Sequence, residues 1–420
     1  MNHRVVITGI GLCTPVGCSV EESWQSLLAG RSGIGPVTLF DASSLPVRIA
    51  GEVKGLDATA LAMRFPGATG ERDRKIWLGL DAASQAVTDA GLSAEDFERV
   101  SLFVGVSLET FFLEDLALAE PSANLPSALT SRLLSRGDAP PLQTPLDRLA
   151  QILGDHYRIL GGRYTNCSAC AAGAQVIGEA FRRLRAGVSD VAIAGAADST
   201  LNPLGLGGFS LLHILSTEND DPSHACRPFD ATRQGTVLAE GAAFVVVETL
   251  ERAQQRGAHA YAEVLGYGSS LDAYRVTDPE PTGRGAVLSM TKAIQDARLT
   301  PMEIAAINAH GTGTPKNDVV ETRAIKQTLG TRASQIPVTA NKSMTGHMIA
   351  TSGAMEAVVS ALMLFGRRVP PTINLTHPDP QCDLDYVKEG CRDFHGRTVL
   401  SNSFGFGGQN ATLILGRVDS

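Results

Sequence analysis

Apolar residues along this chain follow two kinds of pattern. Continuous apolar runs predict strands that are buried on both faces, and they cover residues 4–11, 100–107, 190–198, 242–250, 260–270, 304–313 and 411–418. Apolar residues at helical spacing predict amphipathic helices, and they cover residues 74–92, 171–187, 285–299 and 352–366. Strands that alternate with helices in this way indicate an α/β fold with buried sheets.

The chain is long enough for two halves of similar size. It has 420 residues, against about 100–200 for the usual single domain. The polar segment ERAQQRGA (251–258) precedes a new strand, which predicts a boundary near residue 252 and halves at 1–252 and 253–420. Residues 108–145 are less regular and rich in Pro, Ser and Leu, so we expect them to leave the core.

Composition and charge exclude several classes of protein. With 43% apolar and 19% charged residues, the chain is an ordinary globular protein rather than a disordered one. Its net charge of -8 argues against a wholly basic surface that binds nucleic acid. No apolar run approaches the roughly 18 residues of a membrane span. The seven cysteines are odd in number and irregularly spaced, which predicts reduced thiols in a cytoplasmic protein.

Cys167 and Cys170 form a C-x-x-C spacing in TNCSACAAGAQVIGEAF (165–181). The spacing alone leaves open a redox pair, half of a metal site, and two inert buried thiols. A zinc site is not expected, because the chain has no second C-x-x-C and no H-x-x-H. Cys170 directly precedes the predicted helix, whose N-terminus should lower the pKa of the thiol, and the small residues 171–173 would let a substrate approach. Cys170 is therefore the candidate nucleophile and Cys167 a bystander.

Two histidines lie in glycine- and threonine-rich segments. His310 follows a predicted strand in NAHGTGTP (308–315), where loops commonly carry chemistry. His347 lies at the start of a helix in NKSMTGHMIATSGAMEA (341–357). A helix N-terminus disfavours the imidazolium, so His347 should stay neutral and able to donate a hydrogen bond. Taken alone, each histidine also fits the role of a satisfied structural residue.

Several segments together resemble the β-ketoacyl-acyl carrier protein synthases, the condensing enzymes of fatty acid and polyketide assembly, and above all their type II elongating branch. The segments span nearly the whole chain in the family's order. They are VVITGIGLCTPVG, SACAAGAQVIGEAF, CRPFDATRQGTVLAEGAAFVVVE, NAHGTGTPKNDVVE, NKSMTGHMIATSGAMEA, PPTINLTHPDPQCDLDYV and SNSFGFGGQN. The resemblance implies a thiolase-like fold, with two stacked βαβαβαββ halves in a five-layered α-β-α-β-α core.

The resemblance also implies an activity. Cys170 would take an acyl chain, as a thioester, from an acyl carrier protein. His310 and His347 would drive decarboxylation of a malonyl thioester, and the resulting carbanion would attack the acyl group to give a 3-oxoacyl product and CO2. No metal and no bound cofactor would be needed, since 4'-phosphopantetheine arrives on the carrier protein. The enzyme would be a homodimer or a heterodimer with a related ketosynthase subunit.

Further residues receive supporting roles from the same resemblance. Lys342, paired with Glu321, would hold the two histidines in place. The backbone N–H groups of Cys170 and Phe406 would form an oxyanion hole, and Phe406 would gate the acyl pocket. The other implied site residues are Thr312 and Thr314 on the pantetheine arm, Phe209, Thr236 and Phe404 in the acyl pocket, and Arg74 and Lys75 for carrier-protein docking.

Three features depart from the family's pattern. Thr236 stands where elongating relatives usually carry Phe, GAADS (195–199) replaces a double-glycine form, and residues 108–145 match poorly. A less crowded pocket wall at Thr236 would favour a bulky or unsaturated chain, as in a specialised polyketide or polyene pathway.

Four alternative functions differ from this one at particular positions. A non-elongating or chain-length-determining partner subunit would lack the nucleophile Cys170. A thiolase would carry a second catalytic cysteine late in the chain, and the context of Cys382 and Cys391 does not match one. A ketosynthase of the priming class would carry Asn in place of His347. A thiol-redox protein is the remaining alternative.

Overall fold

Every apolar run predicted as a strand forms one in the computed structural model, which describes residues 3–112 and 143–418. The strands are β1 (Val5–Cys13), β2 (Ile34–Pro36), β3 (Ile49–Gly51), β4 (Ser101–Gly105), β5 (Thr110–Phe111), β6 (Gln143–Thr144), β7 (Arg163–Asn166), β8 (Val191–Asp198), β9 (Gly241–Thr249), β10 (Ala262–Leu271), β11 (Ala306–Asn308), β12 (Pro337–Thr339), β13 (Arg368–Val369), β14 (Asp385–Tyr386), β15 (Arg392–Asp393), β16 (Thr398–Gly405) and β17 (Gln409–Gly416). Most of the irregular segment 108–145 lies outside the described residues.

The four predicted helices are present as well. The α-helices of the described ranges are α1 (Val20–Leu28), α2 (Ala58–Arg64), α3 (Arg74–Ala90), α4 (Arg148–His156), α5 (Ala172–Arg185), α6 (Pro203–Leu211), α7 (Leu250–Gln255), α8 (Arg284–Asp296), α9 (Pro315–Leu329), α10 (Lys342–Thr345) and α11 (Ala350–Gly366). Gly91 ends α3 in the left-handed conformation (φ 64°), as the pattern predicts. Within residues 3–112 and 143–418, no helix is both long enough and apolar enough to cross a membrane.

The pairing of the strands repeats one topology twice. One half has the strand order β1-β9-β8-β4-β7 and the other the order β10-β17-β16-β11-β12, with two antiparallel pairings followed by two parallel ones in each. Each half runs βαβαβαββ along the chain. The halves join where Val5–Ile7 of β1 pairs with Ala262–Val264 of β10. The domain boundary near residue 252 falls in α7, between the halves, and stays a prediction.

Helices and sheets stack in five layers. Helices α5 and α11 pack against each other between the two halves of the sheet. Helices α3 and α4 cover the outer face of the first half, and α8 and α9 cover the outer face of the second. The structure thus has the thiolase-like architecture that the resemblance implied.

The two central helices cross at a pair of glycines. A Cβ on Gly173 would lie 2.6 Å from the carbonyl oxygen of Ala350, and one on Gly353 would lie 2.8 Å from the backbone nitrogen of Ala174. This close approach brings the N-terminal ends of α5 and α11 together. The expectation that residues 171–173 make room for a substrate is therefore wrong for Gly173, which makes room for the other helix.

Candidate active site

Cys170 lies in a short 3-10 turn (Ala169–Ala171) directly before α5, and it is buried. The backbone N–H groups of Cys170 and Phe406 face its sulfur. Gly405 permits this approach, because a Cβ there would lie 3.1 Å from the backbone nitrogens of Cys170 and Ala171. Cys167 is exposed and is absent from the lining of the cavity that Cys170 faces. The structure therefore separates the two thiols as the sequence predicts.

The environment of Cys170 acts on its thiolate in opposing directions. Burial raises the pKa of the thiol to about 11, while the N–H of Phe406 and the charge of Lys342 act to lower that pKa. The expectation that the helix N-terminus gives Cys170 a lowered pKa is therefore wrong for the protein without substrate. The loss of water around the sulfur outweighs the donors and the nearby positive charge.

His310 follows β11 in a loop whose backbone is held by Glu321. The Glu321 carboxylate accepts hydrogen bonds from the N–H groups of His310, at 2.9 Å, and Gly311, at 2.8 Å. Lys342 Nζ donates to the His310 carbonyl at 2.6 Å and lies 3.3 Å from His310 Nδ1. An ammonium group has only donors, so Nδ1 is the acceptor and the imidazole proton resides on Nε2.

His347 lies between α10 and α11, with its backbone N–H bonded to the Val237 carbonyl at 2.7 Å. Ser352 Oγ accepts the N–H of Met348 at 3.1 Å and lies 2.9 Å from His347 Nδ1. The Ser352 hydroxyl, which already accepts one hydrogen bond, can donate its own proton to Nδ1, and in that arrangement the ring proton of His347 is on Nε2. Ser352 is a functional residue that sequence reasoning missed, because a serine in a buried helix has no distinguishing pattern.

The two imidazoles meet edge to face, with their centroids 5.4 Å apart. Burial, followed by the charge of Lys342, holds the pKa of each well below its usual value. Both rings are therefore neutral near pH 7, and each has one N–H to donate. Neutrality of His347 was expected, but burial rather than the helix N-terminus is its first cause.

Lys342 pairs with a different carboxylate from the one predicted. Its Nζ forms a buried ion pair with Glu356 of α11, while Glu321 bonds the loop that carries His310 and also accepts from Asn402 at 3.2 Å. The predicted Lys342–Glu321 pair is therefore wrong. Burial raises the pKa of Glu356 to about 7, and Lys342 opposes that rise. The signal was in the sequence, since Glu356 interrupts an otherwise apolar helix.

One cavity of about 340 Å³ brings together nine of the predicted site residues. Its wall includes the nucleophile, both histidines, the two threonines and the pocket residues, namely Cys170, Phe209, Thr236, His310, Thr312, Thr314, His347, Phe404 and Phe406. The hydroxyls of Thr312 and Thr314 lie 2.9 Å apart. The ring of Phe406 stacks on that of Phe209, with centroids 6.4 Å apart. The expectation that Thr236 reaches the cavity wall is met.

The predicted docking pair is wrong for Lys75, which is buried, whereas the docking role of Arg74, whose side chain is 32% exposed, stays a prediction. Lys75 is 1% exposed, and its Nζ lies 3.1 Å from Asp73 and 2.6 Å from the Leu108 carbonyl. Arg74 donates two hydrogen bonds, at 2.9 and 2.6 Å, to the buried carboxylate of Glu240. The polar stretch that begins α3 looks like a solvated helix start in the sequence, but the fold buries Asp73 and Lys75 within it.

A thiolase-like fold with a buried cysteine, two neutral histidines and a buried lysine–glutamate pair defines a class of enzymes that form carbon–carbon bonds between thioesters. Residues 2–253 match the family described as Beta-ketoacyl synthase, N-terminal domain, and residues 261–376 match its C-terminal domain. The chain belongs to the β-ketoacyl synthase family.

Relatives and solved structures resemble the chain over its full length. The 3-oxoacyl-[acyl-carrier-protein] synthase 2 of Synechocystis sp. is 42% identical over 98% of this chain and 97% of its own. The protein of the same name from Coxiella burnetii is 42% identical over 99% of each. The ishigamide ketosynthase/chain length factor superposes with a TM-score of 0.86 at 33% identity, covering 100% of both chains. A type II PKS ketosynthase, solved with its acyl-carrier protein and bound to the hexaketide, gives 0.85 at 31% identity, again covering 100% of both.

Proposed function

We propose that this protein catalyses the decarboxylative Claisen condensation of an acyl group held on Cys170 with malonyl-acyl carrier protein, giving 3-oxoacyl-acyl carrier protein and CO2. One observation carries the proposal: a buried thiol under two backbone N–H groups faces the same cavity as two neutral histidines. The relatives named as 3-oxoacyl-acyl carrier protein synthases support it.

The first half-reaction is a thioester exchange. The Cys170 sulfur attacks the carbonyl carbon of an acyl thioester, the bond to the pantetheine sulfur breaks, and the pantetheine leaves as a thiol that takes up the proton lost by Cys170. The N–H groups of Cys170 and Phe406, which face the sulfur, are proposed to hold the carbonyl oxygen as it gains negative charge. Such donors favour the transition state in a cavity from which water is excluded.

The second half-reaction creates a carbanion next to that thioester. Loss of CO2 from the malonyl group leaves negative charge on the thioester oxygen, and the Nε2 protons of His310 and His347 can bond it there. The carbanion then attacks the carbonyl of the acyl-cysteine, the carbon–sulfur bond breaks, and Cys170 is released as the leaving group. Lys342 adds positive charge behind both rings without entering the cavity wall.

The proposed partner is an acyl carrier protein, which delivers both thioesters on 4'-phosphopantetheine. Thr312 and Thr314 are proposed to bond that arm where it enters the cavity. We also propose that the protein works in the cytoplasm as a dimer, with a second copy or with a related subunit. Strand β7 supports the dimer, since it lies at the sheet's edge with Arg163, Tyr164 and Thr165 exposed, and an exposed edge is a template for another chain's strand.

The acyl chain is proposed to be bulky or unsaturated, on account of Thr236. This residue is buried at the cavity wall, and its hydroxyl has no hydrogen-bond partner there. A chain-length-determining partner subunit is the second candidate, because a ketosynthase/chain length factor lies among the similar structures. The intact set of Cys170, His310 and His347 favours the catalytic subunit.

The test is mass spectrometry of the intact protein after mixing with acyl-carrier-protein thioesters of several chain types. We expect one acyl group on wild type, mapped to Cys170, absent in Cys170→Ala, retained in the matched variant Cys167→Ala, and discharged by malonyl carrier protein. Loading that follows Cys167, or no loading by any chain, would remove the proposal and bring the partner-subunit role forward.

A further inference from the structure

A second pair of cysteines, Cys13 and Cys18, flanks a tight turn and takes no part in the cavity wall. Thr14 and Gly17 exchange two backbone hydrogen bonds, from the Thr14 N–H at 2.8 Å and from the Gly17 N–H at 3.1 Å. Cys13 and Cys18 are the next residues outward on each arm of this hairpin. They therefore occupy a non-hydrogen-bonded pair, where Cα atoms are about 4.5 Å apart and side chains approach most closely.

That position is suited to a disulfide bond. The two sulfurs lie 3.7 Å apart, and in the described part of the chain no other pair of cysteine sulfurs is in contact. Disulfides span Cα separations of about 4.4–6.8 Å, so the hairpin geometry falls inside the range that needs no backbone movement.

The surroundings assign different roles to the two thiols. Cys13 is fully buried at the end of β1, whereas Cys18 is half-buried and so can be reached from solvent. Cys18 is fixed on three sides: its sulfur bonds the Lys54 carbonyl at 2.9 Å, its N–H bonds Glu22 at 3.1 Å, and its carbonyl accepts from Gln85 at 2.9 Å. The contact with Cys13 lowers the pKa of Cys18, which favours Cys18 as the attacking thiolate.

We propose that Cys13 and Cys18 are a redox-active dithiol that a low-molecular-weight disulfide such as glutathione disulfide converts to an intrachain disulfide. Cys18 attacks one sulfur of glutathione disulfide, forming a mixed disulfide and releasing one glutathione. Cys13 then attacks the Cys18 sulfur and releases the second glutathione. Two protein thiols are oxidised and two glutathione thiols are formed, so electrons and protons balance.

The chain offers a direct test, because trypsin releases both cysteines on the single peptide 5–31, which holds no other cysteine. The folded protein would be equilibrated with glutathione disulfide, acid-quenched, alkylated and digested. We expect this peptide to be two hydrogens lighter and free of glutathione, and to return to two alkylated thiols after reduction. Cys391, which is half-buried with no cysteine sulfur against it, is the internal control and should carry glutathione.

Two variants separate the proposed steps. In Cys13→Ala, we expect the mixed disulfide to persist on Cys18, because no second thiol can displace the glutathione. In Cys18→Ala, we expect Cys13 to stay unmodified, since it is buried. Persistent glutathione on Cys18 of the wild type would overturn the proposal. A peptide that stays fully reduced while Cys391 is modified would overturn it as well.

Discussion

The two halves of the molecule share a topology and divide the chemistry between them. In each half, a loop leads from the third strand of the βαβαβαββ unit to the central helix. In the first half this loop carries Cys170, directly before α5, and its neighbours are small and uncharged. In the second half the equivalent loop carries Lys342 and His347 before α11. One half thus supplies the nucleophile and the other supplies the groups that stabilise charge.

The crossing of the central helices α5 and α11 brings the residues of the two halves into one site. Because α5 and α11 touch at Gly173 and Gly353, the two equivalent loops face one cavity although they are far apart in the chain. The loop after the second strand differs too, since in the second half it carries His310 and is held by Glu321. Duplication of a fold can therefore place unlike residues at equivalent positions and bring them to one site.

The largest effect is expected when the charge-stabilising groups are removed and the nucleophile is kept. In His310→Ala and His347→Ala we expect condensation to fall about 10²–10⁴-fold, while acylation of Cys170 persists. Acyl-enzyme mass and CO2 release measure the two steps separately. The exposed His224 supplies a matched control, since His224→Ala should change neither step. Equal loss of loading and of CO2 release would show that the histidines also serve the first half-reaction.

The buried ion pair of the second half offers the next largest effect. Glu356→Leu would leave the charge of Lys342 buried without its carboxylate partner, and we expect a loss of about 3–5 kcal/mol in the free energy of unfolding. Lys342→Met should cost less, because the raised pKa of Glu356, about 7, lets that carboxyl take a proton and become neutral.

Urea unfolding measures both changes, and the exposed pair Lys326–Asp383 provides the control. Lys326→Met should change stability by less than about 1 kcal/mol, as is usual for surface pairs. Equal losses of stability in Glu356→Leu and Lys342→Met would show that Glu356 does not become neutral when Lys342 is removed.

The sequence was sufficient to predict the α/β pattern and to single out Cys170, His310 and His347, which lie directly beside the ends of predicted elements. Their catalytic roles came from the resemblance to a known family and stay predictions. The sequence failed where the answer depended on which side of an element faces the core. Lys342 lies near Glu321 in the cavity region, yet its partner is Glu356, whose position on α11 is fixed only by the packing of that helix. Lys75 lies in a polar helix start, and its burial beside Asp73 is visible only in the folded structure.

The expectation of a lowered pKa for Cys170 was wrong for the same reason, since burial depends on the folded structure. The helix N-terminus is a local feature that the sequence shows, whereas burial of the sulfur is a property of the assembled halves. A pKa of about 11 means that the thiol of the free protein is almost fully protonated at neutral pH. Alkylation of Cys170 should therefore accelerate about tenfold per pH unit from pH 7 to 10, since only the thiolate reacts.

The measurement is the rate of iodoacetamide labelling of the peptide that carries Cys170, followed by mass spectrometry. In Lys342→Met the rate at any one pH should fall, because Lys342 is one of the groups that oppose the effect of burial. This variant tests whether the charge of Lys342, in the second half, lowers the pKa of the Cys170 thiol in the first half. A rate that reaches a plateau below pH 8 would show that the N–H groups outweigh burial.

The smallest expected effect tests the crossing of the central helices. Gly173→Ala places a methyl group 2.6 Å from the backbone of α11, so we expect a loss of about 1–3 kcal/mol in stability together with reduced condensation. Gly208 is also a helical glycine, but it has open space around it, so Gly208→Ala should stabilise the protein by about 0.5–1 kcal/mol. Urea unfolding and condensation rates compare the two variants. If Gly173→Ala kept full stability and activity, the close contact between α5 and α11 would not be needed. The loops that carry Cys170 and His347 would then reach the same cavity without it.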